Sequence, residues 1–159
     1  MISDTGLRLS EAAGLIRDDI QLEDNIPYES IPIHPWRPLK TPCSVRTVPF
    51  IGASLWAARR GLANTPGQFL SPAYADKRGT NANSASAALN KWLRDKLPEG
   101  CVIHSFRHSL RDRLRAVECP ADIVGAIGGW TTQGVGHSYG ARYPLEVKQR
   151  WMEKIALGC

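Results

Sequence analysis

The sequence predicts a mostly helical α+β domain with a small antiparallel sheet. Three observations predict it. Several segments repeat apolar residues at the three- and four-residue spacing of one helix face, residues 26–50 carry the alternation of extended chain, and Pro and Gly separate these segments.

The first helix is expected from Leu9 to Ile16, where Ala12, Ala13, Leu15 and Ile16 are apolar and Ser10 and Glu11 sit near the start. In residues 26–50, Ile31 and Ile33 alternate with other residues and Val45 and Val48 recur in a second extended run. Pro35, Pro38 and Pro42 lie between them, so the stretch reads as a β-hairpin with a long irregular tip. Proline offers no ladder donor, which places the first arm at a sheet edge. A helix over Ile51–Leu62 is closed by Asn64-Thr65-Pro66-Gly67, and a loop rich in Pro, Gly and Ser follows to residue 80.

Ala85, Ala88, Leu89, Trp92 and Leu93 fall on one helical face. Phe106, Leu110 and Leu114 stack four apart in a helix starting near Ser105, with Phe106 turned toward the core. A short helix follows Pro120 and ends at Gly128-Gly129. Pro144 opens a last helix whose stripe, Val147, Trp151 and Ile155, can pack on its own domain or dock into a neighbouring protomer.

At 159 residues the chain is the size of one domain, with 43% hydrophobic and 22% charged residues. No apolar run reaches the length of a membrane span, and Met1 to Arg8 carry no basic segment followed by an apolar stretch, so the expected location is cytoplasmic. Twenty Lys and Arg against fifteen Asp and Glu leave a charge of +5, which favours a polyanionic partner. Cys43, Cys101, Cys119 and Cys159 form no CxxC pair and have no His at zinc-like spacing. They are expected to be reduced, mostly buried thiols, and no metal or cofactor is expected.

The residues that carry chemistry cluster in a few short segments. His104-Ser105-Phe106-Arg107 is an H-x-x-R at a helix start, whose spacing points both functional side chains the same way. Thr5-Gly6-Leu7-Arg8 leads into Glu11. Lys40 sits at the predicted hairpin tip, followed by Ser44-Val45-Arg46-Thr47-Val48-Pro49, and Gly128-Gly129-Trp130 precedes Tyr139 by nine residues. Tyr143 is the rival phenol, read instead as a packing residue. His108 follows Arg107 and is expected to point away from it, and His34 and His137 fall in loops. Arg37, Arg46, Lys77, Arg78 and Arg111 are further candidates for contact with a phosphate backbone.

Taken in this order, these motifs resemble the catalytic domain of tyrosine recombinases of the phage-integrase family. The T-G-x-R-x-x-E box, the lysine-bearing hairpin with its S-x-R-x-[VI]-P return strand, the H-x-x-R and the Trp-to-Tyr spacing all match, from about residue 5 to the C-terminus. The resemblance implies a site made of Arg8, Lys40, His104, Arg107, Trp130 and Tyr139. It also implies site-specific DNA recombination or integration through a 3′-phosphotyrosyl intermediate, by a cytoplasmic protein of bacterial or phage-encoded origin.

The implied partners are double-stranded DNA, further copies of the protein in a tetrameric synapse, and accessory DNA-bending proteins. Members of the family carry a core-binding domain before the first arginine, whereas Arg8 here stands almost at the start. Residues 1–159 are therefore expected to be the catalytic domain alone, N-terminally truncated and weakly active. Two alternatives share the fold or the chemistry: an inactive DNA-binding module, and a type IB topoisomerase.

The chemistry fits without a metal. Two guanidinium groups can each bind a phosphate through paired N–H donors and stabilise charge building up in the transition state. A phenol with an ordinary pKa near about 10 needs such a positive surrounding, or a base such as His104, to become a nucleophile. Through the resemblance, Lys40 is the donor of a proton to the leaving 5′ oxygen. Trp130 can donate only an indole N–H or buttress the tyrosine.

Overall fold

A computed structural model describes residues 1–41, 44–130 and 143–156. Two short helices, α1 (Ile2–Thr5) and α2 (Leu9–Ala13), open the chain, and a 3₁₀ turn over Arg17–Asp19 leads into β1 (Ile20–Gln21). Strands β2 (Tyr28–Ile31) and β3 (Arg46–Pro49) follow, then α3 (Gly52–Asn64), the small hairpin β4 (Ala75–Asp76) and β5 (Gly79–Thr80), and α4 (Ala82–Leu93). Helices α5 (Ser105–Ala116), α6 (Ala121–Gly128) and α7 (Leu145–Glu153) complete the mostly helical α+β fold.

The sheet order is β1-β2-β3, all antiparallel, with Glu29 opposite both Ile20 and Val48. The first hairpin arm, expected at an edge, is therefore the central strand. Pro35 and Pro38 fall beyond its four paired residues and do not interrupt its ladder, and Pro42 lies outside the described residues. Strand β1 and the β4–β5 hairpin carry too few residues to leave a readable alternation.

Helix α2 stops at Ala13 rather than Ile16. Gly14 ends it where a β-carbon would meet Thr80 Oγ1 and the Arg37 side chain, and Leu15 and Ile16 enter the core from beyond the helix, Ile16 with extended backbone. On α4 the inward face is narrower than its apolar pattern. Ala85 and Leu93 are buried, whereas Trp92 is 61% exposed with the Lys96 ammonium 4.7 Å from its ring centre. Phe106 is only half-buried, leaving Leu110 and Leu114 as the core residues of α5.

Two main cores flank the sheet. One joins Val48 and Ile51 to Leu110, Leu114, Ile123, Ile127 and Met152 of the three C-terminal helices and to Ile155 just beyond the last of them, and the other joins Leu7, Leu15, Ile20, Ile31, Phe50 and Ala58. Fully burying one such side chain contributes about 1.5–3 kcal/mol. The stripe on α7 packs within its own chain, and Lys148 Nζ ties that helix to β3 by donating to Thr47 O at 2.5 Å and Oγ1 at 3.0 Å. Cys119 is buried as expected but Cys101 is exposed, while Cys43 and Cys159 lie outside the described residues.

Candidate active site

The turn between α1 and α2 presents Arg8. Gly6 ends α1 in the left-handed conformation, Leu7 is buried as a peg, and Arg8 caps α2 from extended backbone. Glu11, one turn on, accepts from the Arg8 backbone N–H at 2.8 Å, the reciprocal half of a capping box. It also accepts from Arg8 Nη1 at 2.6 Å and from Arg46 Nη2 at 2.9 Å. Burial opposes ionisation of Glu11, but the hydrogen bond and charge of Arg46, together with Arg8, outweigh it and hold the carboxyl below its usual range.

The C-terminus of α6 is the meeting point of the cations. A helix leaves its last carbonyls without intrahelical donors and carries partial negative charge there. Here three arginines fill that role in succession. Arg46 Nε donates to Ile127 O at 2.8 Å, Arg107 Nη2 to Gly128 O at 2.6 Å and Arg8 Nη2 to Gly129 O at 3.1 Å. Arg107 Nη1 also donates to Gly6 O, and Arg8 Nη1 to Ser44 Oγ at 2.9 Å. Arg107 is 3% exposed, and its guanidinium carbon lies 4.4 Å from the centre of the Trp130 ring. Burial, then the charges of Arg8 and Arg46, lowers its pKa to about 10, which leaves it a cation at neutral pH.

Lys40, exposed at the hairpin tip, shares a pocket of about 490 Å³ with Arg8, Arg111, Arg115 and Trp130, walled by Val124 and Gly125 of α6. No carboxylate lines this pocket among the described residues. His104 caps α5 one turn before Arg107. Burial, then the neighbouring His108, Arg107 and Arg8, lowers its pKa, which favours the neutral ring at pH 7. His108 does not point away, since its ring meets that of His104 edge-on at 4.9 Å.

Three of the six expected site residues, Arg8, Lys40 and Trp130, thus line one cationic pocket; Arg107 lies behind it against the Trp130 ring, His104 caps the helix that carries Arg107 without lining the pocket, and Tyr139 lies outside the described residues, as does His137. Tyr143 packs against the C-terminal core and donates its hydroxyl to Asp122, in keeping with its reading as a packing residue. His34 stacks on Trp36 with ring centres 4.4 Å apart, with its Nε2 2.9 Å from Asp19.

Two expected backbone-contact residues are corrected. Arg37 is buried and ion-paired with Asp19 at 3.0 Å, and Arg46 is buried and committed to Glu11, so neither is available to a polyanion. Lys77 and Arg78 are exposed on the β4–β5 hairpin, where Arg78 pairs with Asp76 at 2.6 Å. Sequence reasoning also passed over Glu11 and Ser44 as positioning groups. The acid three residues after Arg8 was the available signal for Glu11; Ser44 had none beyond its place in the return-strand motif. Among the described residues no cluster of three His, Cys, Asp or Glu is placed to hold a metal ion. No helix among them is long and apolar enough to cross a membrane.

No family model and no curated protein matches the sequence. In three dimensions the chain has the fold of the catalytic region of a tyrosine recombinase. Solved structures that share this fold include those of the Tn1549 transposon integrase. One, in complex with a circular intermediate DNA, superposes with a TM-score of 0.58 at 20% identity over 98% of this chain and 56% of the other. Another, in complex with transposon right end DNA, gives a TM-score of 0.58 at 19% identity over 97% of this chain and 56% of the other. The chain therefore spans a little over half the length of the structures it matches.

Proposed function

We propose that this chain is the catalytic domain of a tyrosine recombinase that binds double-stranded DNA and cuts and rejoins it at specific sites. The observation that carries this reading is the convergence of Arg8 and Arg107 on adjoining carbonyls beside a pocket of four cationic side chains around Trp130. Such a pocket suits a phosphodiester, whose transition state gains negative charge.

In this reading Tyr139 Oη attacks the scissile phosphorus as the P–O5′ bond breaks, giving a 3′-phosphotyrosyl link. Lys40 gives a proton to the departing 5′ oxygen, and His104, neutral at pH 7, receives the phenolic proton. Attack by the 5′-hydroxyl of a second strand restores the phosphodiester and frees the tyrosine. The bond energy is kept in the covalent link, so no nucleotide cofactor is required. The full reaction takes place between copies of the protein on DNA, in a tetrameric synapse aided by accessory DNA-bending proteins, in the cytoplasm.

The engagement of the rival phenol supports the choice of tyrosine: the Tyr143 hydroxyl donates to Asp122 at the start of α6.

The test is Tyr139→Phe in the intact protein with a nicked suicide substrate. Wild type is expected to form a covalent protein–DNA adduct and the variant none. A surviving adduct overturns the assignment of Tyr139. Wild-type DNA binding without any adduct would instead select a non-catalytic DNA-binding module.

A further inference from the structure

Helix α5 carries arginines at 107, 111 and 115, each four residues from the next. Four residues advance a helix by about 6 Å and turn it about 40° beyond a full circle, so the three side chains wind from the core outward. Burial follows that course: Arg107 is buried, Arg111 half-buried, and the Arg115 side chain 58% exposed.

Their donors are used differently. Arg107 spends its terminal nitrogens on Gly6 O and Gly128 O, as Arg8 does on Glu11, Ser44 and Gly129. Arg111 lines the pocket with its guanidinium carbon 5.8 Å from the centre of the Trp130 ring, yet among the described residues it makes no hydrogen bond or ion pair. Arg115 has only a loose, solvent-exposed contact with Asp112 at 3.8 Å. An arginine laid on an aromatic face is partly pre-ordered while its N–H fork stays open, which suits capture of a phosphate.

We infer that Arg111, braced by Trp130 and seconded by Arg115, forms a phosphate subsite of the cationic pocket, one helical turn outward from the internally committed Arg107. Its ligand is a phosphate of the DNA backbone that enters this pocket. This rests on the reading of the pocket as a DNA site and adds to it a contact that fixes strand register without reading sequence.

The test is fluorescence anisotropy of a labelled mixed-sequence DNA duplex with the 159-residue chain across a KCl series. Arg111→Gln is expected to bind about tenfold more weakly at 0.1 M KCl and to lower the slope of log K against log [salt] by about one. Arg111→Lys is expected to restore the slope but only part of the affinity, because an ammonium keeps the charge and loses the planar fork. Arg111→Gln with wild-type slope and affinity overturns the subsite while leaving the DNA reading intact. Failure of the wild-type chain to bind the duplex at all overturns that reading and the subsite with it.

Discussion

Arg8 and Arg107, far apart in sequence, donate to the carbonyl oxygens of the consecutive residues Gly129 and Gly128. The peptide between those glycines thus sets the separation of two like charges that would otherwise repel. The negative end of α6 offsets part of that repulsion, and Glu11 offsets more through Arg8 and Arg46. The arrangement follows from helix termination and one buried carboxylate.

Glu11→Ala removes that carboxylate and leaves Arg46 buried without its anion. Breaking a buried pair from one side costs about 3–5 kcal/mol. Urea unfolding should register a loss in this range, with Glu11→Gln milder because its amide oxygen still accepts hydrogen bonds.

Gly6 is left-handed at φ 64°, and a β-carbon there would run into Leu110. Gly6→Ala therefore combines backbone strain with overpacking and should lower stability by about 2 kcal/mol or more. It should also displace the carbonyl that receives Arg107, so weaker DNA binding is expected to accompany the lower melting temperature.

Glu118 is the one non-glycine residue with positive φ among the described residues, at 59°. It follows α5 where Glu118 N–H reaches Arg115 O at 2.9 Å and Cys119 N–H reaches Leu114 O at 3.0 Å, the paired bonds of a Schellman ending that favours glycine. Glu118→Gly should stabilise the fold by about 0.5–1 kcal/mol, a rise of about 1–4 °C in Tm by calorimetry.

Glu29 is wholly buried in the central strand, and neither carboxylate oxygen has a hydrogen-bond partner among the described residues. Burial raises its pKa to about 8 from 4.5, against the pull of Arg46. Between those values the native state holds a proton that the unfolded chain has lost, so stability is greatest below the unfolded value and falls as pH climbs toward about 8. The limiting slope is about 1.4 kcal/mol per pH unit. Denaturation from pH 5 to 8 should show the decline in wild type and a flatter profile in Glu29→Gln.

Helices α4, α5 and α7 were legible through an apolar stripe, and α3 and α6 through the Pro or Gly punctuation at an end. The hairpin was legible through Ile31 and Val48. The position of β2 was not, because its partner β1 is two residues long and leaves no period to read. The motif residues of the site were readable as a set, but their partners were not. Arg37 and Arg46 look like solvent-facing cations in sequence, and only the buried Asp19 and Glu11, brought close by folding, turn them into internal ones. Trp92 failed for the opposite reason: helical spacing places a side chain on a face without fixing how wide the covering neighbour is.

Arg113 Nη1 donates to Ile155 O at 2.6 Å while its Nη2 donates to Ser3 O, so a single side chain holds the two extremities of the described fold side by side. A peptide linker of a few residues could join them without crossing the molecule. The domain is thereby suited to circular permutation, with new termini opened in an exposed loop such as that around Gly100 and the cationic pocket left untouched.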